Sequence, residues 1–188
     1  DDCIENDRLV NGTIDYSFLD GCYVGISTRR PDADTTTDGH LNTVTLSNSL
    51  VRLQAMPTVY SGEAAGSGGF FKWDTSAAKT SPKLSITNSI FRADQTTNHQ
   101  DLKLPAGYSV TCSNNTMVWL GPGAYPGTLP SCFTVTTDRS VWDAAARAWD
   151  VAHPGVITGP VVSVGDASIV EGNIGSRTMH FPVSLNVQ

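Results

Sequence analysis

The chain reads Val44-Thr45-Leu46-Ser47-Asn48-Ser49-Leu50-Val51-Arg52 in one place and Leu84-Ser85-Ile86-Thr87-Asn88-Ser89-Ile90-Phe91-Arg92 forty residues later. Each stretch alternates apolar and polar residues, turns a polar corner, and resumes as a second short apolar strand. Val110-Thr111-Cys112-Ser113-Asn114-Asn115-Thr116-Met117-Val118 is a third copy, and Gly12-Thr13-Ile14-Asp15-Tyr16-Ser17-Phe18-Leu19-Asp20 a degenerate first. The corner residues Ser17, Ser49, Ser89 and Asn115 follow one another at intervals of 32, 40 and 26. Asn48, Asn88 and Asn114 fall at one matched corner, where asparagine tolerates a left-handed backbone and stacked amides can bond one another. No copy is long enough to bury its own apolar face, so the copies are expected to stack as a solenoid. The insertions from Arg30 to His40 and from Ser61 to Gly69 then become loops. A β-sandwich also spaces strands in this way, but its turns need not be alike.

Composition narrows the function classes. Among 188 residues there are 12 Lys and Arg against 18 Asp and Glu, a net charge of −6. Only 16% are charged, against about 25% in an average globular protein. Polar positions are filled instead by 21 Thr and 18 Ser, with 17 Gly and 10 Pro for turns. A charged coiled coil, a disordered acidic tail and a basic nucleic-acid module are thereby disfavoured. No apolar run approaches the roughly 20 residues that span a bilayer, so no transmembrane segment is expected. No signal peptide precedes Asp1, and the chain is expected to be a mature or trimmed fragment of something longer.

Four cysteines form two pairs in sequence, Cys3 with Cys22 and Cys112 with Cys132, 19 and 20 residues apart. Neither pair has zinc spacing, and no histidine lies close. The spacing predicts disulfides Cys3–Cys22 and Cys112–Cys132, each adding about 3 kcal/mol by loop entropy, and a secreted or cell-surface location. A reactive thiol and four reduced core cysteines are the alternatives.

One good helix is expected over 138–153. Asp138 or Ser140 caps it, alanines fill it, and Pro154-Gly155 ends it. Val141, Ala145, Ala148, Trp149 and Ala152 fall on one face, which is expected to close the open end of the stack. After Thr158-Gly159-Pro160 the text changes to two alternating strands around a Gly-rich turn, giving domains at 1–157 and 158–188. Two strands alone are marginal in water, so they pack elsewhere, continue into a longer chain, or exchange between subunits.

The repeated strand–Asn–strand pattern resembles right-handed parallel β-helix proteins over roughly 1–135. That resemblance implies an all-β fold: a parallel β-helix with a C-terminal capping α-helix and a two-strand β tail. The family spans pectate lyases, polygalacturonases, other polysaccharide lyases, phage tailspikes and non-catalytic surface proteins. The words Val164-Gly165-Asp166-Ala167-Ser168-Ile169-Val170-Glu171-Gly172 and Met179-His180-Phe181-Pro182-Val183-Ser184-Leu185 are similar to the opening of a Calx-β domain. That similarity implies a calcium-binding role for Glu171, though one carboxylate cannot supply six to eight oxygens.

Asp1-Asp2-Cys3-Ile4 is similar to a polygalacturonase word, which implies that Asp2 is a general acid within a carboxylate pair. The companion words Asn-Thr-Asp, Gly-His-Gly and Arg-Ile-Lys are missing. Asp20, Arg29 and Lys72 are further catalytic candidates, since a lyase needs a base beside a cation. Asp1, Glu5 and Asp7 share one strand face and are candidate Ca2+ ligands, with a solvated acidic edge as the plainer reading. Arg52 and Arg92 occupy equivalent positions and would form a basic ladder for acidic sugars, or ordinary outward residues. Trp73 and Trp119 are candidates for stacking on sugar rings, or for core packing. His40, His99, His153 and His180 lack metal-ligand spacing.

Two functions follow. One is a non-catalytic structural or adhesive module of a secreted multidomain protein that binds polysaccharide, or itself through the C-terminal strands. The other is a polysaccharide lyase or glycoside hydrolase acting on an acidic polysaccharide. A groove where Asp2, Asp20, Arg29 and Lys72 converge marks the enzyme. A flat, threonine-rich face with paired terminal strands marks an adhesive or assembling module.

Overall fold

The fold is described from a computed structural model, which defines residues 2–30, 34–56, 69–74, 79–95, 104–105 and 107–154, and the backbone of strands at 161–164 and 183–186. The first repeat supplies β1 (Asp2–Glu5), β2 (Gly12–Asp15) and β3 (Phe18–Cys22). The second supplies β4 (Val24–Ser27), β5 (Thr43–Ser47) and β6 (Leu50–Leu53). The third supplies β7 (Gly69–Lys72), β8 (Lys83–Thr87) and β9 (Ile90–Ala93). Then come β10 (Val110–Ser113), β11 (Asn115–Trp119), β12 (Phe133–Thr136), helix α1 (Arg139–Ala152), and the strands β13 (Val161–Val164) and β14 (Val183–Asn186).

The first nine strands visit three parallel sheets in turn. The first sheet runs β1-β4-β7, the second β10-β8-β5-β2, and the third β12-β11-β9-β6-β3. The expected all-β class with parallel sheets and one C-terminal helix is therefore observed. Strands of the second and third sheets coincide with the copies read from the sequence. Those of the first sheet, and β12, lie between or beyond the copies.

The corner between the second and third sheets is why the copies look alike. Tyr16, Asn48, Asn88 and Asn114 all take left-handed backbone, with φ between 46° and 53°. The amides form a ladder: Asn114 Nδ2 donates to Asn88 Oδ1 at 2.9 Å, and Asn88 Nδ2 to Asn48 Oδ1 at 3.3 Å. Asn48 Nδ2 ends the ladder on the Asp15 carboxylate at 2.8 Å. A second ladder runs beside it. Ser49 Oγ accepts from Ser17 N, Ser89 Oγ from Ser49 N, and Asn115 Oδ1 from Ser89 N. Ser49, Ser89 and Asn115 are buried, and these bonds satisfy polar groups that would otherwise be costly inside.

One apolar cluster draws on all three sheets: Ile26 and Phe71 from the first, Leu46 and Ile86 from the second, Val51, Phe91 and Met117 from the third. Each such side chain contributes roughly 1.5–3 kcal/mol on burial. Both expected disulfides are present, Cys3–Cys22 and Cys112–Cys132, with Cα separations of 5.4 and 5.8 Å. Gly39 is required by close approach, because a Cβ there would lie 2.4 Å from the Leu9 carbonyl oxygen.

The helix begins as expected, with Asp138 as its cap: its carboxylate accepts from Ser140 N at 2.9 Å. The buried side chain differs from the expected face. Trp142 is buried, whereas Ala148 and Ala152 are exposed. Trp142 packs edge-on against Phe18 of β3 at 5.8 Å, and Arg92 of β9 lies 5.8 Å from its ring. Leu50 and Arg92 alternate with the inward Val51, Leu53, Phe91 and Ala93, and so point away from the core. Trp142 thus lies on the outer face of the third sheet rather than over an end of the stack, because apolar outward residues there give it a partner.

The chain divides into two compact units, 1–146 and 147–188. In the second, β13 pairs antiparallel with β14, Val162 opposite Leu185 and Val164 opposite Val183. The two expected terminal strands therefore exist as a pair. Most of the Calx-β-like words, Glu171 and His180 included, lie outside the described residues.

Candidate functional site

Two of the four catalytic candidates, Asp2 and Lys72, come together, and Asp20 pairs elsewhere. Asp2 on β1 pairs with Lys72 on β7 at 3.6 Å, both on the first sheet. Asp20 on β3 forms an ion pair with Arg52 on β6, on the third sheet. Arg29 lies just past β4 and is exposed. Each carboxylate is held in an ion pair, and Asp20 also lies within electrostatic reach of Arg92. A hollow of about 300 Å³ opens at β1 and β2, lined by Ile4, Asn11, Ile14, Ile26 and Val44, and among the described residues Glu5 is the one ionisable side chain on its wall.

The metal candidates divide as well. Glu5 ends β1, Asp7 lies in the turn beyond it, and Asp1 is outside the described residues. The shared strand face expected for Glu5 and Asp7 is lost because the chain turns after Glu5. Among the described residues, no three His, Cys, Asp or Glu side chains group as a metal site would require.

The sugar-binding candidates need correction. Trp73 is buried, its Nε1 donating to the Pro82 carbonyl at 2.9 Å and its ring edge-on to Phe71. Trp119 is fully buried, with Nε1 bonded to the Gly123 carbonyl at 3.0 Å and its ring against Tyr125. Both sit on inward strand positions or their continuation, where the core claims them. Burial also pushes the neighbouring Tyr125 hydroxyl up to about 12.

Arg52 and Arg92 are in register on adjacent strands, as the repeat predicts. They do not offer two free cations. Arg92 is buried and grips Asp94 with two bonds of 2.8 Å, Nε to Oδ1 and NH2 to Oδ2. That bidentate pairing, opposed in part by burial, raises the guanidinium above its ordinary value. The next rung is Val118, also outward and fully buried. The basic ladder is therefore two rungs, each neutralised by its own aspartate.

The second sheet is the opposite case. Inward Val44, Leu46, Leu84 and Ile86 leave Thr45, Ser47, Ser85 and Thr87 turned outward. Across the strands, Thr13, Thr45, Ser85 and Thr111 form one row in register. Asp15, Ser47, Thr87 and Ser113 form the next. The Asn ladder runs along the margin. Ser47 and Asn48 both donate to Asp15 Oδ1 at 2.8 Å, and these bonds, Ser47 first, hold the Asp15 carboxyl below its ordinary value. The alternation that built these rows is plain in the sequence, and the threonine-rich face looked for there is the outer side of this sheet.

The described loops hold local contacts. Asp34 caps its own loop, accepting from Thr36 N, Thr37 N and the Thr36 hydroxyl, and the Thr37 side chain first, then these bonds, lower its carboxyl far below the usual range. His40 bonds Asp38, and His153 stacks on Trp149 at 4.2 Å. His99 is outside the described residues. Compared with protein-family models, curated proteins and solved structures, the chain matches none, so its function rests on its own geometry.

Proposed function

We propose that the chain is a non-catalytic structural or adhesive module of a secreted or cell-surface multidomain protein, with polysaccharide as its binding partner. In this reading the three sheets wind as a right-handed parallel β-helix, and β13 and β14 open a Calx-β-like domain. The observation that carries it is the separation of the ionisable candidates. Asp2–Lys72 and Asp20–Arg52 are closed ion pairs on different sheets, while the second sheet exposes ordered hydroxyls. Two disulfides agree with an oxidising, extracellular setting, and no described helix is long and apolar enough to cross a membrane.

Incubation with polygalacturonate and alginate, with and without added Ca2+, tests the reading. Neither unsaturated uronate absorbance nor new reducing ends should rise above the protein-free blank. Release of either product, lost in Asp2→Asn or Lys72→Met, would establish an enzyme instead.

A further inference from the structure

The outer face of the second sheet combines three properties. Its four strands pair without a register shift, whereas β3 and β6 of the third sheet slip between Leu19 and Cys22. Apart from Asp15 and Lys83 at the strand ends, its outward positions are hydroxyls, and nothing described covers them: Thr13, Thr111 and Ser113 are exposed, and Thr45, Ser85 and Thr87 half-exposed. Among the described residues, none of these six side-chain hydroxyls is spent on another protein group, while the neighbouring Ser17, Ser47, Ser49 and Ser89 hydroxyls all are. The result is a grid with a pitch of about 4.8 Å across strands and about 6.6 Å along them.

We infer that this grid is a docking face for a neutral, ribbon-like β-linked polysaccharide, and so names the partner of the adhesive function proposed above, on which it rests. The chemistry selects that ligand. Six free hydroxyls can each donate and accept, matching the equatorial hydroxyls that a flat sugar ribbon repeats along its length. The central row Thr13–Thr45–Ser85–Thr111 has no charge, so an anionic chain gains nothing there; Lys83 and Asp15 stand at opposite ends of the strands. The core has taken Trp73 and Trp119, so recognition is by hydrogen bonds repeated across the grid. Such contacts are individually weak, and retention comes from many made at once.

The test is co-sedimentation of the intact chain with microcrystalline cellulose, with chitin and, in a separate arm, with a calcium polygalacturonate gel. Wild type should be retained on a neutral glycan, with retention unchanged between 0.1 and 1 M NaCl, since screening removes only charge-driven binding. Thr45→Lys/Ser85→Lys raises two side chains off the flat face and should lower retention at least tenfold. Thr45→Val/Thr87→Val keeps the shape, removes two hydroxyls, and should lower it several-fold. A circular dichroism spectrum and melting temperature equal to wild type show that each variant is folded. Salt-sensitive retention, retention indifferent to both variants, retention on the gel alone, or no retention on either neutral glycan would each overturn the docking face. Retention on the gel without cleavage would leave the adhesive reading standing. Soluble product from any arm would overturn that reading itself.

Discussion

The second and third sheets are built from the same repeats, yet their outer faces have opposite fates. On the second, the outward rows are Thr and Ser, and they meet solvent. On the third, Leu50, Arg92 and Val118 point outward and are nevertheless buried, with Trp142 set against Phe18 and Arg92. A parallel strand inside a stack has a core side fixed by the fold. What its other side does is decided by the two or three residues written there. Apolar ones recruit a cover, and hydroxyls leave the sheet available to something outside the chain.

That contrast can be broken from the covered side first. Trp142→Ala removes the buried indole over the third sheet and should cost about 3 kcal/mol, in the lower part of the range for large aromatic truncations, read by urea unfolding. A loss below about 0.5 kcal/mol would mean that the third sheet is not covered in solution. Arg92→Met should cost about 2 kcal/mol, because it removes a bidentate charge pair and a cation over an indole. Arg52→Met, at the equivalent but more exposed position, should cost less than about 1 kcal/mol. Equal losses from the two arginines would show that burial does not distinguish them.

The shared corner gives the next size of effect. Asn88→Ala places an ordinary residue at φ 50° and cuts two rungs of the ladder, so about 1–2 kcal/mol should be lost. Asn88→Gly keeps the backbone and separates the two contributions, leaving mostly the hydrogen bonds. At the end of the same ladder, the Asp15 carboxyl is held below its ordinary value of 3.8. A depressed carboxyl contributes its stability in full above the unfolded value and loses it as pH falls through the folded one. Thermal unfolding should therefore show wild type losing stability below about pH 3.8 more steeply than Asp15→Asn. Parallel curves would remove Asp15 from the ladder. On the bare face, Thr45→Val should change stability by no more than about 0.5 kcal/mol, because the hydroxyl has no protein partner to lose. A larger loss would show that the second sheet is covered after all.

How much was legible depends on where each requirement lives. The left-handed corner asks one residue for a particular backbone, and asparagine answers locally. Asn48, Asn88 and Asn114 therefore announce the stacked strands without any tertiary information. The disulfide partners are legible from spacing alone, since the four cysteines fall in two pairs 19 and 20 residues apart. The first sheet was not legible as a set, because Asp2–Glu5, Val24–Ser27 and Gly69–Lys72 share no corner signature.

Side-chain roles were less legible still. Arg52 and Arg92 hold the same place in matching nine-residue words, and the sequence presents them as a ladder. Their partners are written elsewhere, Asp20 one repeat earlier and Asp94 two residues on, with an indole fifty residues away deciding that only Arg92 is buried. Trp73 and Trp119 show the same limit, since an aromatic beside glycines reads alike whether a sugar or the core will take it.

By itself, the sequence determined the alternation, the corners, the cysteine pairs and the helix cap, all of which are satisfied within a few residues or by simple repetition. Only the tertiary structure decided which face is covered and which charges neutralise one another, with Asp2 paired to Lys72 and Asp20 to Arg52. Those outcomes depend on distances between chain segments that no local preference encodes.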